Sequence, residues 1–355
     1  MKHFFRYITL AALTVVGCAR TVSEGPNESA KRAFDAWLHV NYPELENSPY
    51  GLGIYVIDEQ PGTGDKTVEK EGFAIIDMVK TDLDGNITEF TDKEAAIQLG
   101  TYNKSYYYGP KVLTTTTNTI QVGLAEGIVG MKVGGEKKFI VPSWLMTYAT
   151  YDNPSDYLNT SSKNSNTIFE IKVRDFTKDI VAWQTDSIGR FFLKSEVKID
   201  GRPAKDVFKG MTPADSVKTA NGGDPGFYYK QLTKPADNES IPSDTTVYIN
   251  YVGKLLNGLV FDTNIEKVAK DNNIWSSSRT YEPAEVDWAE KYSELKLDGN
   301  EVISGFALTL WQMKAGEKGV GVFYSPLGYS YSGNGNSIPG YAPLIFEIEM
   351  TSKPE

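Results

Sequence analysis

The stretch EVISGFALTLWQMKAGEK (301–318) joins two polar ends through an apolar middle. Phe306, Leu310 and Met313 fall at i, i+4 and i+7, the spacing of one helix face. The middle is apolar on most sides, so the helix is expected to pack into the concave side of a twisted sheet. The same spacing occurs far upstream in Leu124, Ile128 and Met131. MKVGGEK (131–137) then matches MKAGEK (313–318), and IFEIKV (168–173) matches IFEIEM (345–350). Gly53-Ile54-Tyr55 and Gly226-Phe227-Tyr228 open the two copies. Strand, hairpin, long connection, short helix and strands recur in one order, which points to two related domains.

Each copy is strand-rich. TTVYINYVGKLLNGLVFD (245–262) alternates on both sides of Asn257-Gly258, a dipeptide suited to a tight hairpin. Its counterpart FAIIDMVKTDLDGNITEF (73–90) turns at Asp84-Gly85. The expected class is α+β: two domains, each a twisted antiparallel sheet wrapped on a short helix. Helical segments are expected before the first domain and between the two.

The chain of 355 residues carries a formal charge of −10. Lys2 and Arg6 precede an apolar run at 8–16, which is shorter than the ~20 residues of a membrane-spanning helix and fits a signal peptide. Val15-Val16-Gly17-Cys18 resembles a bacterial lipobox. That resemblance implies lipidation of Cys18 and anchoring in the cell envelope, at the outer membrane, with the face undecided. An ordinary signal peptide with an incidental cysteine is the alternative. Loss of Lys2 and Arg6 with the leader would take the charge from −10 to −12. An acidic chain argues against nucleic acid as a partner. Cys18 is the single cysteine, so disulfides, CxxC redox chemistry and cysteine zinc sites are excluded. His39 is the only histidine beyond the leader and is expected at the surface. Histidine triads and HExxH sites are thereby excluded, and no glycine-rich phosphate loop is present. No cofactor or metal is implied.

The expected organisation is a signal peptide at 1–17, a tether and N-terminal helix at 18–49, and a first domain at 50–176. A linking segment at 177–222 and a second domain at 223–355 follow. Ala33, Trp37 and Val40 are expected on one side of the N-terminal helix. The linking segment contains Ile180, Trp183, Ile188, Phe191 and Phe192. It is read as helical and packed between the domains, with a solvated linker as the other reading.

The second copy resembles the FKBP-type peptidyl-prolyl cis-trans isomerases across essentially its whole length. Tyr251-Val-Gly253, Asn257-Gly258 and Phe261-Asp262 stand in the family's Y-x-G, D-G, F-D order. Glu301-Val302-Ile303-x-Gly305-Phe306 is similar to its E-V-I-x-G-W element, with phenylalanine for tryptophan. Tyr329, Ile338-Pro339 and Phe346 follow at family spacing. The resemblance implies a shallow aromatic pocket for a proline ring. Phe306 would be its floor, and Tyr251, Phe261, Val302, Ile338 and Phe346 its walls. The Ile303 N–H and the Tyr329 hydroxyl would hold substrate carbonyls, and Asp262 would sit at the rim, tied to Tyr251 or facing the twisted amide. Unfolded or proline-containing polypeptides are the implied partners, with a macrolide-type ligand as a further one.

Two departures stand out. Residues 263–300 form an excursion longer than a minimal family member carries, and its register leaves Ser293 at an aromatic-wall position. Trp275, Tyr281 or Trp288 is expected to fold over the pocket or to block it. The first copy keeps the pattern but loses the pocket. Met78 falls at the tyrosine position, Phe90 is out of register, Ile120-Gln121-Val122 replaces E-V-I and Leu124 replaces the floor, while Tyr148 and Phe169 persist. The function expected from this reading is prolyl isomerisation of exported polypeptides by the second domain. The alternative is a polypeptide-binding chaperone or scaffold lipoprotein without catalysis.

Overall fold

The computed structural model describes residues 25–160, 164–217, 226–234 and 241–353. The leader, the lipobox and Cys18 lie outside the described residues. In chain order the first part holds α1 (Glu28–Asn41), β1 (Tyr55–Gln60), β2 (Phe73–Thr81), β3 (Ile87–Phe90), α2 (Lys93–Gln98) and β4 (Lys111–Thr114). It continues through α3 (Val122–Ile128), β5 (Glu136–Val141), α4 (Pro154–Asn159) and β6 (Thr167–Thr177). A middle part holds α5 (Ile180–Lys194), the ribbon β7 (Lys198–Ile199) and β8 (Arg202–Pro203), and α6 (Ala204–Val207). The last part holds β9 (Phe227–Thr233), β10 (Thr246–Leu255), β11 (Val260–Thr263), α7 (Glu266–Asp271) and β12 (Ala284–Asp287). It ends with β13 (Lys296–Leu297), β14 (Asn300–Glu301), α8 (Ser304–Trp311), β15 (Lys318–Phe323) and β16 (Leu344–Thr351).

The first sheet runs β1-β5-β6-β2-β3, with β4 also paired to β2. The second runs β9-β15-β16-β10, with β11 and β12 both on β10 and β13 and β14 added beyond β12. Strand for strand the two orders are the same, and the strand pairs of both sheets are antiparallel. The hairpin turns fall where the sequence places them: Gly85 has φ +85° and Gly258 φ +88°, a region open to glycine at little cost. The helix lies close against its sheet in both copies. A Cβ on Gly123 would meet Val141 at 2.3 Å, and one on the equivalent Gly305 would meet Phe323 at 2.3 Å.

Two expectations about helices are corrected. Met131 and Met313 are buried but stand beyond their helices, in the turns after α3 and α8. Val129 leaves the helical region at ψ 130° and Gly130 follows at φ +94°, while Met313 N–H closes a turn onto Leu310 O at 2.9 Å. The buried face of α1 is carried by Phe34 and Leu38, not by Ala33 and Val40; Val40 is 76% exposed. Both sets have helical spacing, but burying Phe and Leu removes more apolar area from water than burying Ala and Val.

The core falls into two clusters. One joins Phe34 and Leu38 to the first sheet. The other joins the second sheet to Ile188, Phe191 and Phe192 of α5 and to Val207 and Phe208. The middle segment is therefore neither a solvated linker nor a spacer shared equally between the domains. It packs on the second core, and its ties to the first domain include the Trp183 indole N–H, donated to Asp175 at 2.9 Å, and the Lys178 ion pair with Glu69 at 2.8 Å. His39 sits on the surface with Nδ1 3.0 Å from Glu46.

Candidate active site

The site is built where β10, β11, β16 and the start of α8 meet. Alternation along β10 turns Tyr251 and Gly253 to the concave face. There they pair with Ile348 and Phe346 of β16. Glycine is needed at 253: a Cβ would lie 2.7 Å from Phe261 and 2.9 Å from Phe346. Without it the rings converge. Phe306 meets Phe346 edge-on at 5.0 Å and Tyr251 at 5.5 Å, and Phe261 meets Phe346 at 5.6 Å. Such geometry suits rings whose faces are negative and edges positive. Phe306 is 3% exposed and touches both Tyr251 and Phe346. Ile338 is buried, and Val302, Ile303, Phe261 and Tyr329 are half-buried, in the same second-domain core.

Polar groups mark the rim. The Tyr251 hydroxyl donates to Asp262 Oδ2 at 3.0 Å. Arg279 straddles the pair, donating Nη1 to Asp262 Oδ1 at 2.5 Å and Nη2 to the Tyr251 hydroxyl at 2.7 Å. Asp262 is thus tied to Tyr251, with both carboxylate oxygens engaged. Burial, then the charge of Asp262, push the Tyr251 hydroxyl above the ordinary tyrosine range, against the opposing Arg279. Burial also raises Tyr329, whose hydroxyl has the Asn334 side chain as partner and feels the charge of Asp262. Ile303 precedes α8 with extended ψ 145°. Its carbonyl accepts Phe306 N–H at 3.0 Å, while its own N–H stands outside the helix ladder, as N-terminal amides do. Among the described residues no group of three or more His, Cys, Asp or Glu is placed to hold a metal ion.

Of the nine residues singled out in the sequence, Tyr251, Phe261, Phe306 and Phe346 meet as rings, Asp262 joins them through Tyr251, and Val302, Ile303, Tyr329 and Ile338 belong to the same second-domain core. Two further residues escaped sequence reasoning. Arg279 lies in the excursion, and the only trace of it is a cation close before Pro283. Buried Asn264 accepts Tyr251 N–H at 2.8 Å and donates to Ile249 O at 2.8 Å and Glu282 O at 2.9 Å. It stitches β10 to the excursion.

The excursion reaches the rim through Arg279, and its two tryptophans make other contacts. Trp288 is buried and stacks on Trp311 at 6.0 Å. Trp275 stays exposed under Lys270, and the Arg279 guanidinium rests on the Tyr281 ring. Ser293 is exposed in a turn. Much of 284–301 extends the sheet as β12, β13 and β14. Between this extension and Tyr251 a polar chamber of about 630 Å³ opens, lined by Arg279, Thr280, Glu282 and Lys353 among others.

Strand register places the first copy's substitutions. Met78 pairs with Ile171 as Tyr251 pairs with Ile348, and Glu89 opposes Lys80 as Asp262 opposes Gly253. Phe90 falls at the position of Thr263. The remaining hollow is about 180 Å³, lined by Met78, Lys80, Leu124, Tyr148 and Phe169 among others. Lys80 reaches over Phe169, 5.9 Å from the ring centre.

Residues 237–351 match the family described as FKBP-type peptidyl-prolyl cis-trans isomerase. A probable FKBP-type peptidyl-prolyl cis-trans isomerase of Haemophilus influenzae is 26% identical over 235 residues, covering 66% of this chain and 86% of that one. The FKBP-type 22 kDa peptidyl-prolyl cis-trans isomerase of Escherichia coli is 31% identical over 112 residues, 31% of this chain and 43% of that one. The structure of the three FKBP domains of wheat FKBP73 aligns over 84% of this chain and 94% of that one, at 13% identity and a TM-score of 0.27.

Proposed function

We propose, from the match of residues 237–351 to the family described as FKBP-type peptidyl-prolyl cis-trans isomerase, that the ring cluster of the second domain is the cup in which a proline and its preceding amide are isomerised. The observation that carries this reading is the convergence of Tyr251, Phe261, Phe306 and Phe346 on one another, with Asp262 and Tyr329 at the rim. Rotation about an X-Pro bond is opposed by ~18–20 kcal/mol of amide resonance and takes tens to hundreds of seconds unaided. No proton has to move. A site that strips water from the amide and fits the twisted form better than either planar form is sufficient. Lowering the barrier by about 5 kcal/mol accelerates the exchange a few-thousand-fold.

The roles divide accordingly. Phe306 supports the proline ring, and Phe261, Val302, Ile338 and Phe346 enclose it. The Ile303 N–H and the Tyr329 hydroxyl hold substrate carbonyls through the twist. Asp262 acts as a fixed negative charge and not as a base, since Tyr251 and Arg279 already engage both of its oxygens. The substrates are exported polypeptides, reached by a chain held at the envelope through lipid on Cys18. In magnetisation-exchange NMR on a short Xaa-Pro peptide, added protein should produce cis–trans cross-peaks at seconds or faster, and their absence contradicts the reading. Incorporation of labelled fatty acid into the chain, lost in Cys18→Ser, tests the anchor. Equal labelling of both forms contradicts it.

A further inference from the structure

Loop 99–110 of the first domain, between α2 and β4, is stiffened from within. Tyr102 and Tyr108 stack at 5.6 Å, and Phe90 lies parallel to Tyr108 at 6.5 Å. Asn103 Oδ1 accepts Ser105 N–H at 3.0 Å and Ser105 Oγ–H at 2.9 Å, while Asn103 N–H donates to the Tyr108 hydroxyl at 3.0 Å. Phe90, displaced from the pocket register of the first copy, is thus a support of this loop.

The loop reaches the second domain on two sides. Tyr107 N–H donates to Asn336 O at 2.8 Å, within the segment between Tyr329 and Ile338. Opposite, Lys104 Nζ donates to the Asp271 carbonyl, and Asn273 Nδ2 donates to Asn103 Oδ1 at 3.2 Å. Both partners belong to the excursion that carries Arg279. Phe73 of β2 adds an edge-on contact with Tyr341 at 5.5 Å. One stiff loop therefore touches the segment carrying Tyr329 and Ile338 and the segment carrying the rim cation.

We infer that the first domain is a positioning element for the second domain's cup, holding these two segments at a fixed separation. The inference rests on the isomerase reading given above. A pocket that works by fitting a twisted amide depends on wall positions to within about 0.5 Å. Long connections without such a tie are drawn from the low-stability end of a fold. Asn103 and Lys104 act through the second domain's loops and touch no substrate.

The test uses the full chain with Asn103→Ala/Lys104→Ala, and Asn103→Asp/Lys104→Arg as the conservative counterpart. The amides of Gly333, Asn334, Ile338 and Tyr341, hydrogen-bonded inside the Tyr329–Ile338 segment and its end, report on bracing by hydrogen exchange. The alanine pair should speed their exchange about tenfold and lower kcat/KM about fivefold, with the unfolding midpoint nearly unchanged. The conservative pair should restore both. Wild-type exchange of these amides, once Tyr107 N–H has lost protection, overturns the inference, as does an unchanged kcat/KM. A wild-type chain without isomerase activity would refute the function instead, and the exchange comparison would still decide the bracing.

Discussion

Tyr251 is held by two opposing partners: it donates to Asp262 and accepts from Arg279. A hydrogen bond to a charged group contributes about 1.5–3 kcal/mol. Tyr251→Phe should therefore lower kcat/KM by about tenfold, and the loss should sit mainly in kcat if the hydroxyl serves the twisted form. Steady-state assay of the two forms checks this. Burial and the charge of Asp262 raise the Tyr251 hydroxyl, and burial raises that of Tyr329. Raised phenols stay protonated well past the ordinary tyrosine value of about 10. The rate is accordingly expected to be flat between about pH 6 and 9, and a bell-shaped profile in that range would indicate acid–base chemistry. At this scale the rings that meet in the second domain, Tyr251, Phe261, Phe306 and Phe346, were legible in the sequence because they stand in ordered motifs. Arg279 and Asn264 were not, since each is placed by the path of the excursion and not by a local period.

Among elements, the β10–β11 hairpin and α8 set the cup. The alternation of β10 and the Asn257-Gly258 turn announce the hairpin in the sequence, and Gly253 shows why the motif needs a residue without a side chain. Gly253→Ala would push Phe261 and Phe346 apart from contacts of 2.7 and 2.9 Å. Overpacking of this kind costs about 1–3 kcal/mol. Chemical denaturation should register that loss, and KM for an Xaa-Pro peptide should rise, because the displaced rings are the proposed walls. The ends and faces of helices were less legible. Met131 and Met313 keep helical spacing in turns that merely continue the helix path. The face of α1 was misassigned because two apolar stripes share one period, and the larger side chains took the buried side.

For the whole molecule, the repeat made two sheets of one topology legible, but not the way they are joined. Nothing in the period of α5 says which core it serves; Ile188, Phe191 and Phe192 settle in the second. Two separate cores should unfold in two calorimetric steps, not one. The Asp175–Trp183 bond spans them. Burial raises the Asp175 carboxyl, but hydrogen bonds from Lys66, the Phe176 N–H and the Trp183 indole outweigh it, leaving its pKa below the usual value. A carboxylate depressed in the folded state stabilises above its unfolded pKa, about 3.9, and that contribution is lost as pH falls through the folded value. The two calorimetric steps should separate further as acid is added below about pH 4, and Asp175→Asn should show less of that acid-dependent separation.

The central claim is that the cup around Phe306 accelerates rotation of an Xaa-Pro amide. Phe306→Leu tests it with little risk to the fold, since Leu124 holds the same position in the first domain. In a protease-coupled assay the wild-type chain should speed the cis-to-trans step of an Xaa-Pro peptide, and Phe306→Leu should lose about tenfold or more of that rate. A wild-type chain that leaves the uncatalysed rate unchanged, or a leucine variant as fast as wild type, contradicts the claim.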